Sequence, residues 1–113
     1  MLRAPGTGDQ KYIWTIHARL KMEYYGLSES RIKRIIRFPS RTEEGIVENT
    51  VAVMQPAGSK RYQEIWTMYK VQKSKFKNQN SKLKIITAWR YPGKSPLRDP
   101  VPLEIINEVK KLL

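Results

Sequence analysis

The chain has 113 residues, a length that suits one domain with a single core of modest size. It contains no cysteine and one histidine, which excludes a disulfide framework and a thiolate metal site, and we expect neither metal nor cofactor. The 22 Lys and Arg outnumber the 10 Asp and Glu, and the net charge of +12 favours a polyanionic partner.

Three classes of partner fit this charge. Nucleic acid, RNA above all, ranks first and an acidic protein second; alternatively, the charge serves solubility alone. A membrane surface ranks last, because no segment combines a wide apolar face with a basic one, and we expect no membrane partner. No apolar stretch approaches the ~20 residues that span a bilayer, so we expect a cytoplasmic protein.

The first ten residues differ in composition from the rest of the chain. They contain Pro5, Gly6 and Gly8 and no apolar run, which predicts a mobile tail over residues 1–10 and no signal peptide. Residues 11–113 carry no linker or repeat, and we expect them to form one domain.

Two helices are predicted next. Apolar residues recur at spacings of three and four over residues 12–25, with Thr15 as a candidate N-cap and Gly26 at the C-terminal cap; residues 12–16 could instead form a short strand. Ser28 is the predicted N-cap of a second helix, which Pro39 ends. The apolar stripe of this second helix consists of Ile32, Ile35 and Ile36.

The period then changes from that of a helix to two. Residues 46–55, 62–71 and 83–91 alternate as strands and are separated by turn signals, which predicts an antiparallel meander of three or four strands. Both faces of the last two strands are largely apolar, so we expect helices or the tail to cover both. Pro102 fits the first position of a last helix over residues 102–113. The fold class is therefore α+β.

The first helix carries a recognisable motif, His17-Ala18-x-x-Lys21-Met22-x-x-Tyr25-Gly26-Leu27-Ser28. It resembles a family of small uncharacterised bacterial domains with a His-Ala-x-x-Arg-Met-x-x-Arg-Gly-Ile-Ser start, similar to the RelE and BrnT toxin superfamily. The resemblance implies a RelE-like α+β ribonuclease paired with an antitoxin. It covers the first helix pair, and elsewhere it extends only to the order of elements. Lys21 and Tyr25 replace arginines of the pattern, and the final helix is not part of its short form.

Metal-independent RNA cleavage needs a proton acceptor, a cation beside the phosphate and a proton donor. His17 suits the role of base or acid, and the resemblance places a histidine there. Arg90 lies on the third predicted strand as a phosphate clamp, and late-strand arginines and tyrosines of RelE-like toxins add Tyr91 in support. Alternatively, His17 holds a backbone group at the start of the helix, Arg90 covers a sheet face and the aromatic residues belong to the core.

Two groups of cations are candidate phosphate ligands. Alternatively, the first group forms a solvated helix face, and the second group prevents aggregation through edge strands. The candidates are Arg31, Lys33, Arg34, Arg37 and Arg41 on and after the second helix, and Lys73, Lys75 and Lys77 beside an Asn-rich turn.

Three hypotheses follow. The first is a toxin-type endoribonuclease that cleaves RNA without a metal through His17 and Arg90, which requires that the two lie near one phosphodiester. The second is a non-catalytic nucleic-acid-binding module. The third is an interaction domain for an acidic, antitoxin-like partner protein.

Overall fold

The computed structural model describes residues 11–73 and 81–112, and all structural statements concern these two ranges. Residues 1–10, predicted as a tail, lie outside them. The protein has an α+β fold, as its sequence predicts. The elements, in chain order, are β1 (Tyr12–Trp14), α1 (Ile16–Tyr25), α2 (Glu29–Arg37), β2 (Arg41–Glu44), β3 (Thr50–Pro56), β4 (Gln63–Gln72), β5 (Lys82–Pro92) and α3 (Leu103–Leu112).

The strands of these two ranges form one five-stranded sheet in the order β1-β5-β4-β3-β2. The strands β3 to β5 pair as the predicted antiparallel meander, and β2 adds a further antiparallel strand over residues that the sequence does not single out as a strand. The strand β1 adds a parallel edge, with Tyr12 opposite Leu83 and Trp14 opposite Ile85. With this edge strand, the sheet has more strands than the three or four that the sequence predicts. The alternative of a short strand before α1 is confirmed.

The predicted strand over residues 46–55 is wrong in extent. The chain turns between β2 and β3, and Thr50 stabilises this turn by donating its hydroxyl to the Val47 carbonyl. Asn49 adopts a left-handed backbone with φ of 67°, a conformation that asparagine tolerates well. Gly45 is required because a Cβ there would collide with the Thr50 side chain. This turn, which the Thr50 side chain stabilises, interrupts a segment whose apolar and polar residues alternate as in a single strand.

The predicted helix caps are confirmed. Thr15 Oγ1 accepts a hydrogen bond of 3.0 Å from the Ala18 amide, and Ser28 Oγ accepts one of 3.1 Å from the Arg31 amide. Gly26 ends α1 in a left-handed conformation with φ of 69°. These local signals place α2 immediately after α1, across a three-residue connection.

Two hydrophobic clusters lie on opposite faces of the sheet, because consecutive residues of a strand point to opposite faces. The α1 and α2 side contains Ile32, Ile35, Ile65 and Ile85, among others. The α3 side contains Ile105 and Val109 together with Met68 and two stacked indole rings, those of Trp66 and Trp89, whose centroids are 5.8 Å apart.

Three helices, α1, α2 and α3, lie in the described ranges. None of them is long and apolar enough to cross a membrane.

Candidate nucleic-acid interface

His17 lies in the first turn of α1, between β5 and α3. Its Nε2 is 3.1 Å from the hydroxyl of Thr87 and 3.9 Å from Oε1 of Glu108. Only 14% of the side chain is exposed. The imidazole therefore joins α1 to β5 and to the last helix through side-chain groups, whereas the alternative drawn from the sequence is a contact with a backbone group.

The protonation of His17 follows from this position. Burial lowers its pKa, the nearby carboxylate of Glu108 opposes that effect, and the charge of Lys21 reinforces it. The net result is a pKa below the usual value, so the imidazole is uncharged near neutral pH. The Lys21 ammonium in turn lies 3.1 Å from Glu108 Oε1.

Arg90 lies at the other end of α1. Its Nε donates a hydrogen bond of 2.9 Å to the carbonyl of Tyr25, the last residue of the helix. Eight residues separate His17 from Tyr25, which corresponds to about 12 Å along a helix axis. The cross-strand partner of Arg90 is Ile65, on the α1 and α2 side, whereas that of Thr87 is Met68, on the α3 side. The structure therefore places His17 and Arg90 at opposite ends of α1, an arrangement that does not favour their joint action on one phosphodiester.

Tyr91 does not assist Arg90 either. Its side chain packs against the hydrophobic cluster on the α3 side of the sheet. Neighbouring residues on a strand point to opposite faces, so the Tyr91 ring and the Arg90 guanidinium are separated by the sheet. The alternative that this aromatic residue belongs to the core is the one that the structure supports.

Three arginines do come together, at the end of the sheet where α1 ends and α2 begins. Arg31 Nη2 donates a hydrogen bond of 2.7 Å to the carbonyl of Pro56, at the end of β3. Burial lowers the pKa of Arg31, and the neighbouring charges of Arg34 and Arg90 lower it further. In the described part of the chain, no carboxylate forms an ion pair with any of the three. We call Arg31, Arg34 and Arg90 the arginine rim.

The other predicted phosphate ligands are dispersed. The Lys33 ammonium lies 5.3 Å from the centroid of the Tyr12 ring, and Arg37 is exposed at the end of α2. Lys73 is exposed after β4, whereas Lys75 and Lys77 lie outside the described residues.

Arg41, a predicted phosphate ligand, is largely taken up by contacts within the protein, and 17% of its side chain is exposed. Nη1 donates to the Ser95 hydroxyl at 2.8 Å and Nη2 donates to Glu43 at 3.0 Å. The guanidinium also lies 5.0 Å from the centroid of the Trp66 ring and 3.7 Å from a carboxylate oxygen of Glu64. These contacts connect β2 and β4 to the loop that follows β5.

Glu64 is the buried centre of this network, a structural role that differs from the secondary acid or base role its residue type suggests. Its carboxylate accepts hydrogen bonds from the Trp66 indole and the Tyr62 hydroxyl, both at 3.0 Å, and from the amide and hydroxyl of Ser95. Burial raises the pKa of Glu64, but the bonds from Ser95, Trp66 and Tyr62 outweigh burial and hold it below its usual value. The only sequence signal is an acidic residue in a largely apolar strand.

The arrangement can be compared with known sites. No three His, Asp or Glu side chains of the described ranges gather as metal ligands. No protein-family model, curated protein or solved structure matches this chain, so the resemblance to RelE and BrnT toxins stays a prediction.

The substitution Glu64→Gln tests the buried network. We expect it to lower the free energy of unfolding at pH 7 by about 3 kcal/mol, because one carboxylate oxygen becomes an NH₂ donor that faces the buried donors of Ser95, Trp66 and Tyr62. Urea unfolding measures the change, and the exposed Glu44→Gln is the matched control, expected within about 0.5 kcal/mol of wild type.

The pH dependence provides the second half of this test. The folded pKa of Glu64 is lowered, so its ionised form stabilises the fold above the usual pKa of glutamate, and this contribution is lost as the pH falls through the lower folded pKa. The difference between wild type and Glu64→Gln should shrink below about pH 4.5. A difference that is constant from pH 7 to pH 3 contradicts this account.

The protonation of His17 is measurable by NMR titration of its ring protons. We expect a midpoint below 6.5, the usual pKa of histidine. The substitution Glu108→Gln should lower the midpoint further, because the Glu108 carboxylate raises the pKa of His17. Glu23→Gln, an exposed substitution on the helix that carries His17, should leave the midpoint unchanged. Equal midpoints in Glu108→Gln and wild type would contradict the contact between His17 and Glu108.

Proposed function

We propose that this protein binds RNA through the arginine rim of Arg31, Arg34 and Arg90. The observation that carries the proposal is their convergence from α2 and β5 without an ion-paired carboxylate in the described ranges. A cytoplasmic location is part of the proposal, since RNA is available there.

The orientation of two rim guanidinium groups suits phosphate. Each arginine carries five N–H donors in a planar fork. The Pro56 carbonyl accepts from Arg31 and the Tyr25 carbonyl accepts from Arg90, and each of these bonds fixes one edge of a fork. The remaining donors are then held in place before the ligand arrives, which reduces the entropy lost on binding.

An anion would also relieve repulsion within the rim. Arg34 and Arg90 disfavour the charged form of Arg31, as its lowered pKa indicates, and a bound phosphate would reverse the sign of that local field. An acidic protein surface supplies the same kind of charge. RNA is favoured because a net charge of +12 suits a polymer with one charge per nucleotide.

Metal-independent cleavage is a second candidate function, but with a different set of residues from the one predicted. The feature in its favour is the position of His17 beside the ion pair of Lys21 and Glu108, where burial lowers the pKa of the imidazole, with the resemblance of the first-helix motif to RelE-like ribonucleases as further support. His17 would accept the proton of a 2′-hydroxyl, and Lys21 would supply the nearby positive charge. Arg90 would have no part in this step.

The binding proposal predicts a specific effect of Arg34→Gln. Arg34 is exposed on α2, so the fold should not depend on its guanidinium. We expect weaker binding of a labelled single-stranded RNA, and a slope of log K against log salt that is shallower by about 0.7, the value for one lost phosphate contact. Fluorescence anisotropy between about 50 and 200 mM salt measures both quantities.

Lys110→Gln is the control, because it removes one exposed positive charge from α3, away from the rim. It should leave affinity and slope close to wild type. Equal losses in the two variants would show that net charge, rather than the rim, determines binding. A wild-type protein that binds no RNA would contradict the proposal and favour an acidic protein partner.

The cleavage candidate is tested by incubating pure protein with RNA in EDTA. His17→Asn should abolish cleavage while RNA binding persists, because Asn provides no base of suitable pKa. Cleavage that survives in His17→Asn excludes this histidine as the base. RNA that stays intact with the wild-type protein leaves binding as the function.

A further inference from the structure

Phe38 is an exposed aromatic side chain immediately after α2, and 70% of its surface is accessible to solvent. One exposed apolar residue is ordinary on a protein surface. Phe38 differs from an ordinary exposed residue because hydrogen bonds fix its main-chain amide and carbonyl while its ring stays exposed to solvent.

Two hydrogen bonds hold the Phe38 main chain. Its amide donates to the carbonyl of Arg34 at 2.9 Å, and its carbonyl accepts from the Gln55 side chain at 2.8 Å. The following residue, Pro39, further restricts the backbone of Phe38. The ring therefore projects from a fixed point at the end of the helix, and a contact made by it requires little ordering of the chain.

The ring shares its edge of the protein with the arginine rim. Residues 31, 34 and 38 are separated by three and then four positions, the spacing of neighbours on one helix face. Contacts with β3 support this placement: Gln55 also donates to the Arg34 carbonyl at 3.3 Å, and Arg31 donates to the carbonyl of the next residue, Pro56. Two guanidinium groups and an accessible aromatic ring thus lie on the side of α2 that meets the end of β3.

We infer that the RNA bound at this rim is single-stranded and that one of its bases stacks on Phe38. The inference rests on the proposed function and specifies its ligand. In a duplex the faces of the bases are covered by their neighbours, whereas in a single strand they are free to stack on an aromatic side chain. Alternating phosphates and bases of a single strand match adjacent arginines and an aromatic ring.

The substitution Phe38→Ala tests this inference against three probes: a single-stranded RNA of about 12 nucleotides, the same sequence as a duplex, and inorganic polyphosphate. We expect the single strand to bind about 5- to 100-fold more weakly, the range found for loss of one stacked base. Duplex and polyphosphate should bind as they do to wild type, because neither offers a free base face. Phe38→Trp should restore single-strand affinity.

Leu97→Ala is the matched control, since Leu97 is 76% exposed and lies in the loop before α3. It should bind all three probes like wild type. Unchanged single-strand affinity in Phe38→Ala overturns the inference, and so does an equal loss for all three probes. Either result leaves the proposed function standing if wild type binds RNA, whereas a wild type that binds none of the RNA probes removes the proposed function itself.

Discussion

Burial of the central strands on both faces is the constraint on which the rest of this structure depends. In β4, Ile65 belongs to the cluster on the α1 and α2 side, and the next residue, Trp66, belongs to the cluster on the α3 side. In β5, Ala88 and Trp89 divide in the same way. A sheet that is apolar on both faces needs a helical layer on each, so the chain has to place α3 on the face opposite to α1 and α2.

The presence of helices on both faces of the sheet explains the buried polar network. The chain leaves β5 at Pro92 and crosses the end of the sheet before α3 begins at Leu103. Ser95 lies in that crossing, and its amide and hydroxyl donate to Glu64 while Arg41 donates to its carbonyl at 3.1 Å. A buried carboxylate is costly unless its lone pairs are satisfied, and here they are satisfied by groups that fix the path of the loop. Arg41 is thereby committed to the fold.

The sequence predicts those parts of the fold that depend on neighbouring residues. The caps at Thr15 and Ser28 and the left-handed Gly26 are local, and each is confirmed. The three-residue strand β1 exists because it pairs with residues about seventy positions away, and the turn before β3 depends on the Thr50 side chain. Neither is visible in the periodicity of the residues concerned.

The candidate site also combines local features that the sequence predicts with long-range contacts that it does not. Arg31 and Arg34 are three positions apart on one predicted helix, so their grouping follows from the sequence. The addition of Arg90 depends on how α2 packs across the sheet, and the separation of Arg90 from His17 depends on α1 running along β5. Likewise, the contact of His17 with Glu108 joins the first helix to the last, which no spacing in the sequence predicts.

The two roles of arginine in this protein follow from what surrounds each guanidinium. Arg41 has two carboxylates, a hydroxyl and an indole ring within reach, so its charge is balanced and both of its terminal nitrogens donate hydrogen bonds. Arg31 and Arg90 are held by single main-chain carbonyls, which orient a guanidinium without neutralising it. Hydrogen bonds to neutral acceptors therefore let positive charges gather at one edge, where an anion gains more from them than from the same charges spread over the surface.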